Sequence, residues 1–181
     1  MRNVTVAAVQ MKCSKSVEKN IAHAEELVRQ AAAKGAEIVL LPELFERPYF
    51  CQERRYEYYE YAQTAEENPA VRHFSRVAAE LGIVIPVSFY EKEVNNTYNS
   101  VAVLDADGKN LGIYRKTHIP DDHYYQEKFY FTPGDTGFKV FVYQIWNHRS
   151  WNLLGSVVPG NGKMYGAAGS RAALLSHCHR K

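Results

Sequence analysis

The chain has 181 residues, of which 46% are hydrophobic, and its 22 Lys and Arg nearly balance its 20 Asp and Glu, for a formal charge of +2. This composition predicts one globular domain with a substantial core and excludes a disordered chain. The longest apolar runs, residues 38–41 and 83–87, are far too short to span a bilayer, and the near-neutral charge gives no reason to expect nucleic acid as a partner.

Cysteine usage and the amino-terminal residues predict a cytoplasmic protein. Cys13, Cys51 and Cys178 form an odd, widely spaced set, which argues against a disulfide framework and suits a reducing compartment. The first three residues lead directly into a strand-like stretch, without the apolar run of a signal peptide. We therefore expect neither secretion nor a membrane anchor.

The first part of the chain alternates predicted strands and helices. Residues 4–10 alternate in a way that is typical of a strand. Ser16 is a predicted N-cap, after which apolar residues recur at helical spacing until Gly35. The all-apolar residues 38–41 predict a second strand, buried on both faces.

A second helix and a three-stranded meander are predicted next. Asn68 and Pro69 indicate a helix start, and Gly82 indicates its end. The three predicted strands, with a turn at Asn95 and Asn96 between the first two, are residues 83–90, 98–105 and 111–116. This order of elements favours an α/β fold with a mixed sheet and helices on one face.

The composition changes abruptly after residue 141. Residues 1–141 contain 17 Lys and Arg and all 20 Asp and Glu, a net charge of −3, whereas residues 142–181 contain five Lys and Arg and no acidic residue. The same forty residues contain both tryptophans and five of the 11 glycines. Such a shift is typical of a domain boundary, a tail or a segment of different origin.

Three charged residues are candidates for catalysis. Glu43 follows the buried strand at 38–41, where α/β sheets place ligands, so a partly desolvated carboxylate there can act as a general base. Lys116 ends the last meander strand and can stabilise an oxyanion or donate a proton, and Glu127 lies among aromatic residues as a second carboxylate. Each also has a plain interpretation, as a solvated loop glutamate, a surface lysine and an exposed loop residue.

Several motifs, in this order, resemble the carbon–nitrogen hydrolase (nitrilase) superfamily. They are Gln10 after the first strand, Leu-Leu-Pro-Glu-Leu-Phe at 40–45, Asn-Asn-Thr-Tyr-Asn-Ser at 95–100, Tyr-Arg-Lys-Thr-His-Ile-Pro at 114–120 and Thr-Pro-Gly-Asp at 132–135. Residues 46–50 and the Tyr-rich stretch 124–131 make the chain similar to the branch that hydrolyses N-carbamoylputrescine. The resemblance runs from residue 3 to about 141, and several ordered motifs are more specific than any single one.

The resemblance implies a fold, a site and a reaction. The fold is a truncated part of a four-layer α-β-β-α sandwich, with the base at Glu43, the lysine at Lys116, a supporting glutamate at Glu127 and a substrate-side residue at Tyr49. In the family chemistry the glutamate takes a proton from a cysteine, the thiolate attacks an amide or ureido carbonyl, and the lysine stabilises the oxyanion. A small carbamoyl or amide substrate is implied, with putrescine, CO2 and ammonia as products in polyamine biosynthesis; no cofactor or metal is implied.

The cysteine nucleophile that the resemblance implies is missing. The family places it after the Thr-Pro-Gly-Asp segment, in a pattern such as Ile-Cys-Trp-Asp, and residues 136–181 contain no such pattern. Cys13 and Cys51 precede the lysine, and Cys178 lies in an unrelated Ser-His-Cys-His context, so Cys51, next to 48–50, is the one conceivable substitute. His148 and the histidines flanking Cys178 do not match zinc spacings, and we predict no metal site.

A shift of reading frame explains the tail. Read one base later, codons allowed for residues 142 onward can encode the missing family segment, with its cysteine across the codons of Leu153 and Leu154. One T inserted after the codon of Phe141 produces the observed residues and a stop after Lys181. The codons were chosen, yet agreement at about a dozen motif positions is poorly explained by chance.

We therefore predict that residues 1–141 are the N-terminal part of a carbon–nitrogen hydrolase domain and that residues 142–181 are an out-of-frame, poorly ordered tail. The chain as written is then inactive. Three alternatives stay open. A catalytically dead homologue can act as a binding or regulatory partner, as a homo-oligomer or paired with a full-length homologue; the chain can be a free-standing α/β binding module; or the extra base is an error and the gene encodes an intact enzyme.

Overall fold

The computed structural model describes residues 4–137, 139–145, 149–155 and 172–174. No helix in these segments combines the length and apolar character that crossing a bilayer requires. Two helices lie against a central sheet. One 3₁₀ turn precedes the second helix in the chain, and a second 3₁₀ turn and short strands follow the sheet.

A strand–helix–strand unit opens the fold. The strands β1 (Val6–Ala8) and β2 (Ile38–Leu40) are parallel, and the helix α1 (Val17–Ala33) connects them. The hydroxyl of Ser16 accepts a hydrogen bond from the backbone N–H of Lys19 at 3.3 Å, which satisfies one of the free donors of the first helical turn. The predicted cap and helix are confirmed, whereas β1 is shorter than predicted.

The second helix, α2 (Pro69–Leu81), has the predicted capping residues at both ends. The side chain of Asn68 accepts a hydrogen bond from the N–H of Val71 at 2.9 Å, and Pro69 is the first helical residue. Gly82 ends the helix with φ of +64°, a left-handed conformation that favours glycine. Both boundaries follow from local backbone chemistry, which is why the sequence predicts them.

Three antiparallel strands form the meander, β3 (Ile85–Glu93), β4 (Asn96–Leu104) and β5 (Asn110–Arg115). A parallel bridge between Ile38 and Val84 joins β2 to the residue that precedes β3. The sheet is therefore mixed, as predicted.

The turn between β3 and β4 lies one residue earlier than predicted. Glu93 pairs with Asn96, so the two turn residues are Val94 and Asn95. Val94 has φ of +51° and is 78% exposed. A β-branched residue is unfavourable in this region of φ because its side chain crowds the backbone.

The remaining elements are short. Two 3₁₀ turns are Tyr56–Tyr61 and Glu127–Phe129, and a two-residue ladder joins β6 (Asp121–Asp122) to β7 (Tyr125–Gln126). A separate three-stranded sheet consists of β8 (Val140–Ile145), β9 (Arg149–Gly155) and β10 (Ala172–Leu174). In that sheet β8 and β9 are antiparallel, and β9 and β10 are parallel.

Neighbouring residues of the central strands belong to two different hydrophobic clusters, because successive strand residues point to opposite faces. One cluster contains the apolar faces of α1 and α2 together with Val39, Ile85 and Leu104. The other contains Ile38, Val84, Val103, Tyr114, Phe141 and Tyr143. The helices therefore cover one face of the sheet, and side chains of β8 cover part of the other.

The strand β8 crosses the predicted domain boundary at residue 141. Beyond that boundary Tyr143 is buried and Val142 is 54% exposed, the alternation of a half-buried strand. His148, Cys178 and most of 142–181 lie outside the described residues. The assignment of 142–181 as an out-of-frame tail stays a prediction.

Candidate active site

Glu43 lies just past the end of β2, in a sharply turned backbone. Its side chain is buried, and the next residue, Leu44, has φ of +51°. This left-handed conformation costs a non-glycine residue about 1–2 kcal/mol. The N–H of Leu44 donates to the hydroxyl of Ser88 on β3 at 3.1 Å, which helps to hold the turn.

Lys116 directly follows β5, and neighbouring backbone holds it on both sides. Its N–H donates to the carbonyl of Asn99 at 2.8 Å, and its own carbonyl accepts from the N–H of Gly134 at 2.8 Å. A Cβ at Gly134 would lie 2.1 Å from the carbonyl oxygen of Arg115. The glycine of the Thr-Pro-Gly-Asp motif is thus required by this close approach of two backbone segments.

Glu127 begins a 3₁₀ turn among aromatic residues and is 1% exposed. Its carbonyl accepts hydrogen bonds from the N–H groups of Tyr130 and Phe131, both at 2.9 Å. The aromatic rings around Phe50 pack against this segment and bury its carboxylate. Glu127 is therefore a buried carboxylate, not an exposed loop residue.

The three predicted residues come together around one ammonium group. The Nζ of Lys116 donates to Oε1 of Glu43 at 3.0 Å and to Oε1 and Oε2 of Glu127 at 3.0 and 2.8 Å. Each carboxylate has one further neutral donor at 2.6 Å, the side-chain amide of Asn99 for Glu43 and the hydroxyl of Tyr49 for Glu127. The alternative interpretations of Glu43 and Lys116 as solvated residues are therefore wrong.

Burial and charge act in opposite directions on this cluster. Burial lowers the pKa of Lys116, but the carboxylates of Glu43 and Glu127 outweigh it, so the pKa lies above its usual value and the lysine stays protonated. Burial raises the pKa of Glu127, against the effect of Lys116 and with that of Glu43. One ammonium thus serves two carboxylates, and burial pushes Glu127 towards its neutral form.

Tyr49 connects this cluster to a neighbouring cavity. Its hydroxyl donates to Glu127, and its ring lines a cavity of about 350 Å³ together with Arg47, Tyr58 and Tyr61. Burial, then the charge of Glu127, raises the pKa of Tyr49, so the hydroxyl remains a donor. The resemblance implies a substrate-side residue at Tyr49, which stays a prediction; the geometry shows its hydrogen bond to Glu127.

Cys51 is close to the cluster but has the wrong environment for a nucleophile. The residue is fully buried, and burial raises the pKa of its thiol, with Glu127 and Glu43 adding to the effect. A catalytic thiol needs a lowered pKa and access to substrate. The structure therefore gives no support to Cys51 as a substitute nucleophile.

Asn99 and Ser88 are site residues that sequence reasoning missed. Asn99 belongs to the motif at 95–100. The strand pattern around it does not indicate that its side chain donates a hydrogen bond to a glutamate 56 positions away. For Ser88 the available signal was a polar side chain within an apolar run. Both Asn99 and Ser88 are buried, and a buried polar side chain needs a hydrogen-bond partner.

Known proteins share sequence and fold with this chain. The family model for carbon–nitrogen hydrolases matches residues 5–158. The N-carbamoylputrescine amidase of Arabidopsis thaliana is 54% identical over 140 residues, which are 77% of this chain and 47% of that protein. A citrullinase of Francisella tularensis is 45% identical over 141 residues, 78% of this chain and 49% of that protein. The chain thus spans about half the length of these relatives.

A solved structure shares the fold over nearly the whole chain. The carbon–nitrogen hydrolase of Helicobacter pylori superposes with a TM-score of 0.85 at 30% identity, covering 96% of this chain and 59% of that one. The predicted fold class, part of a nitrilase-type sandwich, is confirmed. The family model and the relatives match this chain, and the chain contains the Glu–Lys–Glu cluster. The chain therefore belongs to the carbon–nitrogen hydrolase family.

Proposed function

We propose that Glu43, Lys116 and Glu127 are the acid–base part of a site that hydrolyses the ureido bond of N-carbamoylputrescine. The observation that carries this proposal is the buried Lys116 ammonium, which bridges two carboxylates at 2.8–3.0 Å. The amidase relative supports the substrate. Such a cluster supplies a base for a thiol and a cation for an oxyanion, the two demands of acyl transfer to a cysteine.

Each residue has a defined role in this proposal. Glu43 accepts the proton of the attacking thiol and later activates water, and Lys116 stabilises the negative charge that develops on the carbonyl oxygen. Glu127 holds Lys116 in place, and Tyr49 holds Glu127 and faces the substrate side. The thiolate attacks the ureido carbon, and ammonia leaves with the proton that Glu43 took from the thiol. Water deprotonated by Glu43 then cleaves the carbon–sulfur bond, and the released N-carboxyputrescine loses CO2 to give putrescine.

We also propose that this chain lacks the catalytic thiol. Cys51 is buried with a raised thiol pKa, and residues 142–181 are proposed to be out of frame. In the shifted frame the cysteine would fall at Leu153 and Leu154, near the end of β9 at Gly155. Strand ends are where this fold class presents reactive groups, which supports the frame-shifted interpretation. The chain as written then binds substrate without turning it over.

A second candidate function follows from the same observation. The carboxylates and the lysine satisfy one another without any thiol. A catalytically inactive chain can therefore keep an ordered site and act as a binding or regulatory partner of an intact subunit. Co-purification of the tagged chain with a full-length homologue would favour this second function, and a chain that purifies alone counts against it.

Two proteins test the first proposal. One is the 181-residue chain; the other, the frame-restored protein, is expressed from the same locus with the single T after codon 141 removed. Ammonia release is measured with N-carbamoylputrescine and, as the matched substrate, citrulline, whose ureido group is attached to an amino acid. We expect release from N-carbamoylputrescine by the frame-restored protein alone, and its loss in that protein on Glu43→Gln substitution.

Three results would overturn the proposal. Turnover by the 181-residue chain would show that the thiol is not missing. Genomic DNA without an additional base at codon 142 would remove the frame-shift explanation. A frame-restored protein that prefers citrulline would leave the reaction class intact but contradict the proposed substrate.

A further inference from the structure

Asn99 contacts both the base and the lysine of the proposed site. Its side-chain amide donates to Oε1 of Glu43 at 2.6 Å, and its backbone carbonyl accepts the N–H of Lys116 at 2.8 Å. Asn99 is 2% exposed and lies on β4 opposite Tyr90. The amide must present its NH2 group, because an ionised carboxylate only accepts hydrogen bonds.

The two oxygens of Glu43 are not equivalent. Oε1 accepts hydrogen bonds from Asn99 and from the Nζ of Lys116, at 2.6 and 3.0 Å. Among the residues that the structure describes, the donors to Glu43 both bond to Oε1, and none bonds to Oε2. Hydrogen bonds to a charged oxygen stabilise its lone pairs, so the oxygen without donors is the more basic of the two.

We propose that Asn99 is a positioning residue that, together with Lys116, occupies Oε1 of Glu43 and leaves Oε2 as the oxygen that accepts the proton of the nucleophile. The inference rests on the proposed function, since it takes Glu43 as the base. Asn99 also fixes two groups at once. Its side chain holds the Glu43 carboxylate, and its backbone carbonyl holds the N–H of Lys116.

The charged and titratable groups around Glu43 define the background for a test. They are Lys116 and Glu127 in the cluster, with Tyr49 and Cys51 coupled to it electrostatically. None of these is changed by substituting Asn99. A response of the Glu43 carboxyl to such a substitution therefore reports the lost amide donor.

The first measurement uses the 181-residue chain itself. The titration of the Glu43 side-chain carboxyl carbon is followed by NMR, assigned by its loss in Glu43→Gln. Removing a hydrogen bond to a charged group moves such a midpoint upward by roughly one to two pH units, which is the shift expected for Asn99→Leu. Asn99→Ala, which removes the same donor without adding a charge, gives a shift of the same direction and serves if the leucine variant does not fold.

Thr97→Val is the matched control on the same strand. The Thr97 hydroxyl donates to the carbonyl of Tyr130 at 2.6 Å and does not touch Glu43. This variant loses a hydrogen bond, and we expect the midpoint of the Glu43 titration to remain unchanged. An equal response of Thr97→Val and of the Asn99 variants, or no response of either Asn99 variant, would overturn the inference and leave Asn99 a purely structural residue.

The second measurement uses the frame-restored protein. In Asn99→Leu we expect the acidic limb of kcat/KM against pH to move upward by the same one to two units and kcat at pH 7 to fall at least tenfold, with KM within about twofold. A change confined to KM contradicts the inference. If the frame-restored protein has no turnover at all, the proposed function fails, and the NMR shift still decides the role of Asn99.

Discussion

The replacement of Lys116 by methionine tests whether the buried cluster is the energetic centre of the site. The substitution keeps an unbranched side chain of similar length and removes the ammonium. In the native chain the Lys116 side chain is 6% exposed, and those of Glu43 and Glu127 are 5% and 2% exposed. The variant therefore leaves two desolvated carboxylates, for which Asn99 and Tyr49 are the remaining donors within the described part of the chain.

The structure sets the expected size of the effect. Removing one partner of a buried ion pair costs about 3–5 kcal/mol, because the remaining charge stays buried without compensation. For a chain of this length that loss lowers Tm by roughly 6–20 °C. Lys109→Met is the matched control, since the Lys109–Asp107 pair has side chains that are 79% and 49% exposed. Ion pairs in water contribute little, and the control should unfold almost like the native chain.

The loss should also depend on pH, with a definite sign. Burial raises the pKa of Glu127 in the native chain, and removing the ammonium raises it further. A carboxyl whose pKa is higher in the folded than in the unfolded chain stabilises the fold fully below the unfolded value of about 4.3 and loses that contribution as pH rises through the folded value. Lys116→Met should therefore approach native stability as pH falls from 7 towards 4.

Urea unfolding at pH 7 and pH 4.5, followed by tyrosine fluorescence and circular dichroism, measures both effects. A Lys116→Met chain that loses no more stability than Lys109→Met would refute the reasoning. So would a large loss of equal size at both pH values, because that result would indicate lost packing and not unpaired charge.

Three further substitutions or modifications follow from the backbone and from burial. Val94→Asn should raise the free energy of unfolding by about 0.5–1 kcal/mol in urea titrations, since asparagine tolerates the φ of +51° at this exposed turn; a destabilised variant would contradict the strain. Gly134→Ala should lower it by about 1–3 kcal/mol because its Cβ would lie 2.1 Å from the carbonyl oxygen of Arg115; an alanine variant as stable as the native chain would contradict this close approach. Cys51 should resist iodoacetamide at pH 8 in the folded chain and react on unfolding, as read by peptide mass spectrometry, because burial raises the pKa of its thiol; rapid labelling of the folded chain would reopen its role.

The helices were predictable because their boundaries depend on local chemistry. Ser16, Asn68 and Gly82 act within one helical turn of their own position, and each does in the structure what its residue type favours. The turn at Val94 was misplaced by one residue because Asn95 and Asn96 are better turn residues, and strand register overrides that preference.

The site was predictable in its residues but not in its connections. Position after a strand suggests a role for Glu43, and motif order adds Lys116 and Glu127. The bond from Asn99 to Glu43 and the bond from Tyr49 to Glu127 join residues that are 56 and 78 positions apart. Contacts of this kind depend on how elements pack, and one sequence contains no local pattern that specifies them.

The long sequence separations within the cluster also bear on the order of folding. Lys116 and Glu43 are 73 positions apart, so their contact closes a large loop and gains nothing until the sheet has brought both ends together. We therefore expect the Glu43 carboxylate to stay hydrated until after the transition state, whereas Glu127 is only 11 positions from Lys116. Substitutions at Glu43 should then accelerate unfolding and leave the refolding rate nearly unchanged.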